Sequence, residues 1–338
     1  MKISCLVNNY NYARFVGEAI DSALAQTVAF DEIIVVDDGS TDDSLDVIKR
    51  KCGKLERVKI ISKLNGGQLS CFNAGFAASS GDLVYFLDAD DVFEPDYVEQ
   101  SLAVYERQQN IDFVFCAHTY FGEKNEVSQA FKSDRDFGYT LALVYWKKIW
   151  IGSPTSCISA RRQVLEQFLP LPLEADWRSR ADDCLVFGVS LAGGRKYYLS
   201  KPVVRYRVHG RNCHFGQKFD HSYKYRRKVA INRLIGVLAS KIGYDLEQLS
   251  DVIYSEFRSQ PHRTFRSLKQ YLSIAMRSSI SAPRRFRLAM SLFADFVARP
   301  LTTRPEPTAA APPLRIEEGK PRLHAPLADR APRQATGA

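Results

Sequence analysis

Residues 83–91, LVYFLDADD, constrain the fold more than any other stretch of this chain. An unbroken run of five apolar or aromatic residues that ends in carboxylates predicts a strand buried on both faces. Asp88, Asp90 and Asp91 then fall at its carboxyl end, the edge where open α/β sheets bind ligands. Three carboxylates this close repel one another and raise each other's pKa. A divalent cation relieves the repulsion, and hard oxygen ligands suit Mg2+ or Mn2+. The plain alternative is a solvated acidic turn.

On both sides of this stretch the chain alternates strand and helix. Residues 2–7 predict a first buried strand, followed by the loop NNYNYAR and a helix with Phe15, Val16, Ala19, Ile20, Ala23 and Leu24 on one face. Residues 32–36 predict a second strand that ends at Asp37 and Asp38, with Ser40 or Thr41 capping the next helix. A short strand at 58–61, the turn Asn65-Gly66-Gly67 and a helix through Leu69, Phe72, Asn73 and Phe76 lead to the central run. This order predicts an α/β fold, a doubly wound, mostly parallel sheet with helices on both faces. If the two acidic strand ends belong to parallel neighbours, they share one rim and make a site.

Further along, a strand is expected at 113–116, an irregular polar excursion at 122–137, and a turn at Gly152 before a strand at 155–160. Asp182 and Asp183 precede an apolar helix, and two short strands at 196–199 and 203–208 end with His209 in an exposed loop. From Tyr223 basic helices take over. Beyond about Pro300 the chain is rich in Pro, Ala and Arg and is expected to be disordered. The expected division is an α/β domain over 1–221, a basic helical extension over 222–299 and a tail over 300–338.

Composition narrows the class. The seven cysteines are scattered, without CxxC or Cys/His spacing, which argues against a structural zinc or a disulfide framework and for a reducing compartment. The first residues reach polar Asn8 too soon for a signal peptide, and Lys147 and Lys148 break the one long apolar stretch. A cytoplasmic protein is expected, peripheral at the inner face of the cell membrane. Residues 1–120 carry a formal charge of −9 and residues 121–338 carry +18. Such a split suits an acidic half that holds metal and a basic half that meets an anionic membrane surface or a phosphate-bearing acceptor. No nucleic-acid-binding motif is present, so no nucleic acid partner is expected.

Six segments in this order resemble the family-2 glycosyltransferases of GT-A fold: VNNYNYARFVGEAIDSALAQT, IIVVDDGSTDDS, NGGQLSCFNAGFAASSGD, VYFLDADDVFEPDY, the ADD before CLVFGVSLAGG, and YRVHGRN. The resemblance covers roughly residues 1–212. It implies that the acidic rim binds a nucleotide-diphosphate sugar. Asn8 and Tyr10 then match positions lining the base, Asp38 an acid on base or ribose, and Asp37 its support. The Asn65–Gly67 turn and Asn73 match the region covering the nucleotide. Asp88 and Asp90 match the DxD motif, with Asp90 the metal ligand, Asp91 its substitute and His209 a further holder of metal or diphosphate. Gly152 matches a loop beside the donor sugar. Asp183 matches the catalytic base, but the family's Glu-Asp is Asp182-Asp183 here, which leaves the choice between them open.

The function this implies is inverting transfer of a sugar to a hydroxyl acceptor, a glycan or lipid-linked sugar, in cell-surface polysaccharide or glycolipid synthesis. Two other readings are a non-catalytic nucleotide-binding module and a metal-dependent phosphohydrolase. The latter normally carries DxD on its first strand.

Overall fold

The computed structural model describes residues 1–210, 212, 219–244 and 248–298. The expected disordered tail and Arg211 of YRVHGRN lie outside them. The first strands are β1 (Ile3–Asn9), β2 (Glu32–Asp37), β3 (Val58–Ser62) and β4 (Leu83–Asp88). They alternate with helices α1 (Val16–Leu24), α2 (Ser44–Cys52) and α3 (Gln68–Ala78). β1 pairs in parallel with β2 on one side and β4 on the other, and β2 pairs in parallel with β3.

Side chains alternate along these strands, so each strand feeds two cores. Leu6, Ile34, Val36, Val84 and Phe86 enter one core with Leu69, Phe72 and Phe76 of α3. Cys5, Val7, Ile33, Val35, Tyr85 and Leu87 enter the other with Val16 and Ile20 of α1 and Ile48 of α2. Helix α4 (Tyr97–Arg107) covers the second face through Tyr97, Val98 and Val104.

The sheet continues with β5 (Val92–Phe93), β6 (Phe113–Gly122), β7 (Glu126–Ser128), β8 (Arg135–Gly138), β9 (Ile158–Arg161) and β10 (Lys196–Val208). Its order is β3-β2-β1-β4-β9-β6-β10-β5, with β7 on β6 and β8 on β10. β9 runs antiparallel between β4 and β6, so the sheet is mixed, with parallel pairing through its first four strands. Two local expectations change. The polar excursion holds β7 and β8, because both find an open edge to pair with. The two short strands are one, β10, whose register against β6 slips on either side of Pro202, a residue with no N–H to give the ladder.

The first face also carries α5 (Leu141–Lys147), α6 (Arg162–Leu165) and α7 (Asp182–Leu191), followed by α8 (His221–Ile242), α9 (Val252–Ser259), α10 (Phe265–Arg277) and α11 (Ala282–Ala298). Leu234, Ile253, Leu268 and Leu292 of the last four helices share the core of α3 and α7. Glu256 of α9 is buried and accepts from the first N–H groups of α5, Ala142 N at 2.6 Å and Leu143 N at 3.2 Å. It satisfies donors that a helix start leaves without partners. Among the described residues, no helix is long and apolar enough to cross a membrane.

Candidate active site

Register sets the site. Asn8 of β1 stands beside Asp88 of β4, and Asn9 beside Asp37 of β2. Both acidic strand ends therefore flank the end of β1. There the order reverses from β2 to β4, the switch point at which α/β sheets open a crevice. The cleft has a volume of about 780 Å3, and its walls include Asn8, Tyr10, Asp38, Asn65, Gly67, Asp88, Asp90 and Asp182.

On the β2 side, Asp38 is buried and saturated. It accepts from Gly67 N at 2.7 Å, Gly66 N at 2.9 Å, Asn65 Nδ2 at 3.0 Å and Lys63 Nζ at 2.8 Å. Those bonds fix the Asn65–Gly67 turn over the cleft. Gly67 has φ +89°, and a Cβ there would stand 2.4 Å from Arg178 Cα, so conformation and space both require glycine. Asp37 lies behind the wall and binds Asn9 Nδ2 at 2.8 Å and Ser40 Oγ at 2.6 Å. Ser40 is thus tied to the strand end, and the helix it was expected to cap begins later, at Ser44.

On the β4 side, Asp88, Asp90 and Asp91 can bring one ligand atom each within 4.8 Å of one another. Burial, and then the Asp90 charge, push the Asp88 carboxyl up to about 8. Asp88 Oδ1 accepts from Asn8 Nδ2 at 2.7 Å and Gln68 Nε2 at 2.8 Å. Asp90 Oδ2 lies 3.0 Å from His209 Nε2. The His209 ring packs against Phe15 at 5.0 Å, so this histidine is half-buried and not in an exposed loop. Asp91 sits beneath, 1% exposed, with one oxygen taken by Ser156 Oγ at 2.6 Å and the other by Arg207 N at 2.9 Å. Such crowded, buried carboxylates suit a hard divalent cation, and Asp88 and Asp90 are the two on the cleft wall.

The far wall is the start of α7. Asp182 is half-buried and faces the cleft. Burial, and then the neighbouring Asp183 charge, push it up to about 7. Asp183 is 1% exposed and is not on the wall; Arg227 Nη1 of α8 holds its Oδ2 at 2.7 Å. Burial raises the Asp183 carboxyl above its ordinary value, and Arg227 offsets only part of that rise. The expectation that Asp183 is the base therefore meets an obstacle: its carboxylate is shut away from the cleft and bound to a guanidinium.

Two other expected residues stand elsewhere. Asn73 points to the far side of α3, where it bonds the Leu171 backbone in both directions at 2.9 Å. Gly152 packs on α7, where a Cβ would stand 2.4 Å from Val186 Cγ2; the buried Lys196 Nζ ties the adjacent Ile151 carbonyl to that of Val186. Both residues shape the frame and lie off the cleft wall.

Sequence reasoning missed Gln68, Arg178, Arg180 and Arg227, all on the wall. Gln68 bridges the site: its Nε2 donates to Asp88 and its Oε1 accepts from Ala181 N at 2.9 Å. Arg180 has φ +60°, a conformation that costs a non-glycine residue, held just before Asp182. Gln68 lies within the segment NGGQLSCFNAGFAASSGD but had no role assigned, and the three arginines lie outside every motif segment.

The family model for glycosyl transferase family 2 matches residues 4–169. The chain is 36% identical over 251 residues to an uncharacterized glycosyltransferase of Nostoc sp., covering 72% of this chain and 77% of that protein. It is 39% identical over 116 residues to the hyaluronan synthase of Pasteurella multocida, which is 34% of this chain but only 12% of the synthase. The crystal structure of S. aureus TarS 1-349 in complex with UDP is similar in fold, with a TM-score of 0.50 at 17% identity over 88% of this chain and 72% of that one.

Proposed function

The chain belongs to glycosyl transferase family 2, and on that premise we propose that this cleft takes a nucleotide-diphosphate sugar and passes the sugar, with inversion, to an acceptor hydroxyl. One observation carries the reading: the strand-end acids Asp88 and Asp90 and the helix-start acid Asp182 line a single cleft. The TarS structure, described as a complex with UDP, is a similar fold with a nucleotide in it.

In this reading Asn8, Tyr10, Asn65 and Gly67 surround the nucleoside, with Asp38 as the anchor of the turn and Asp37 behind it. Asp88 and Asp90 hold Mg2+ or Mn2+, and His209 orients Asp90. The ion, when bound, supplies positive charge to the leaving diphosphate. Asp182 is the base. It takes the acceptor's O–H proton as that oxygen forms a bond to the anomeric carbon. The bond from that carbon to the phosphate oxygen breaks, and its electron pair leaves with the diphosphate. Asp183 and Arg227 hold the first turn of α7 in place. A carboxyl poised near neutral pH and open to the cleft suits this task better than one sealed behind a guanidinium.

The acceptor in this reading is a glycan or lipid-linked sugar, as in cell-surface polysaccharide synthesis, met at the inner face of the membrane. The experiment is a screen of nucleotide sugars with Mn2+ and sugar acceptors, read as released nucleoside diphosphate and glycosylated product. Product with one donor supports the reading. Donor binding without product under every pairing supports a non-catalytic nucleotide-binding module instead.

A further inference from the structure

Helix α11 is apolar on two opposite sides. Inward, Leu292 is fully buried, and Leu288 and Phe296 pack on the core. Outward, Phe286 is 69% exposed, Met290 52%, Phe293 50% and Val297 64%. Their spacing of four, three and four residues sets them in one stripe along the helix. Arg287 is exposed on the flank of this stripe, and Arg284 is exposed farther round the helix. The one acid of the helix, Asp295, is engaged by Arg258 and Arg263.

A solvated helix of a globular protein puts polar residues on its outer side. This one puts large apolar residues there, with unopposed positive charge. Two copies meeting through this face in parallel would bring arginine toward arginine, which is costly, and in antiparallel they would set each arginine over the partner's apolar end with no anion to meet it. An anionic bilayer satisfies both features at once, because apolar side chains enter at headgroup depth while arginines meet lipid phosphates. The 17 residues of the helix give about 25 Å of length, enough to lie along a surface.

We propose that α11 docks this protein on an anionic membrane surface, inserting Phe286, Met290, Phe293 and Val297 between headgroups while Arg287 on the flank of the stripe pairs with lipid phosphates. This goes beyond the transferase reading and does not depend on turnover.

The test is co-sedimentation of the full chain with vesicles of phosphatidylcholine alone and of phosphatidylcholine containing about one third phosphatidylglycerol. At low salt, partition onto the anionic vesicles should be at least about tenfold stronger. The triple variant Phe286→Ser, Met290→Ser, Phe293→Ser should lose about tenfold or more of that partition. Arg287→Gln should lower both that partition and its salt dependence. Should the triple variant fail to fold, Phe293→Trp reports the same event, with its fluorescence shifting to the blue on anionic vesicles. Wild type left in the supernatant, pelleting that the stripe substitutions do not change, or loss of a dimer as their only effect would each overturn the proposal. A chain that pellets yet releases no nucleoside diphosphate would leave docking standing and count against the transferase reading alone.

Discussion

Arg227 and Asp183 form an ion pair, Nη1 to Oδ2 at 2.7 Å and Nη2 to Oδ1 at 3.1 Å, across the contact between α8 and α7. Asp183 is 1% exposed, so the pair neutralises a charge that water cannot reach. It also clamps the helix turn that presents Asp182. Arg227→Ala should therefore destabilise the protein by about 3 kcal/mol, because one charge of a largely buried pair loses its partner. Arg227→Lys should recover part of that. Thermal melts of the three proteins read this directly, and equal melting temperatures would show that the pair contributes nothing.

Donor binding should need a divalent cation. Asp88 and Asp90 meet on the cleft wall, and without a cation burial and mutual repulsion hold the Asp88 proton on to about pH 8. Asp90→Ala should abolish the part of nucleotide-sugar affinity that depends on Mg2+ or Mn2+ and leave the melting temperature near that of wild type. Calorimetric titration with and without EDTA checks this; equal affinity in the two conditions would contradict it.

Turnover should rise with pH through about 7. Asp182 must be ionised to accept a proton, and its carboxyl is pushed up to about 7 by burial and by the Asp183 charge. Arg180 and Arg227 act in the opposite direction. Asp183→Asn removes the neighbouring negative charge and frees Arg227, so the acid limb of the kcat profile should move to lower pH. A limb that stays in place would separate it from Asp182.

Glu256 links stability to pH. It is 3% exposed, and burial pushes its carboxyl from 4.5 up to about 7. The folded state thus binds a proton more tightly than the unfolded state. The stability from this group is fully present below about pH 4.5 and is lost as pH rises through about 7, by up to roughly 3 kcal/mol. Glu256→Gln should flatten the wild-type decline over that window. Denaturant unfolding of the two proteins across pH 4 to 8 isolates this contribution from that of the other buried acids.

The parallel half of the sheet was legible because its strands read as short apolar runs that stop at Asp37 and Asp88, and side-chain alternation left little choice of arrangement. The acidic rim followed from those stops. Which of Asp182 and Asp183 faces the cleft was not legible. Adjacent residues on a helix point about 100° apart, and only the position of α8, with Arg227 on it, decides which one is sealed. Gln68 was hidden for a similar reason: a polar residue at a helix start has many uses, and its partners Asp88 and Ala181 are distant in sequence. Asn73, five residues along the same helix, turns to the opposite side. In α11, Leu288 and Phe286 are equally apolar in sequence, and packing alone makes one of them core and the other surface.

Asp182 as the base is tested most directly by single-turnover release of nucleoside diphosphate by Asp182→Asn, with donor affinity measured separately on the same protein. Removing a general base costs about 10²–10⁴-fold in rate. Asp182→Asn should lose that much with donor affinity unchanged, and Asp183→Asn should lose less. Near-normal release by Asp182→Asn, with the large loss falling on Asp183→Asn, would contradict that assignment.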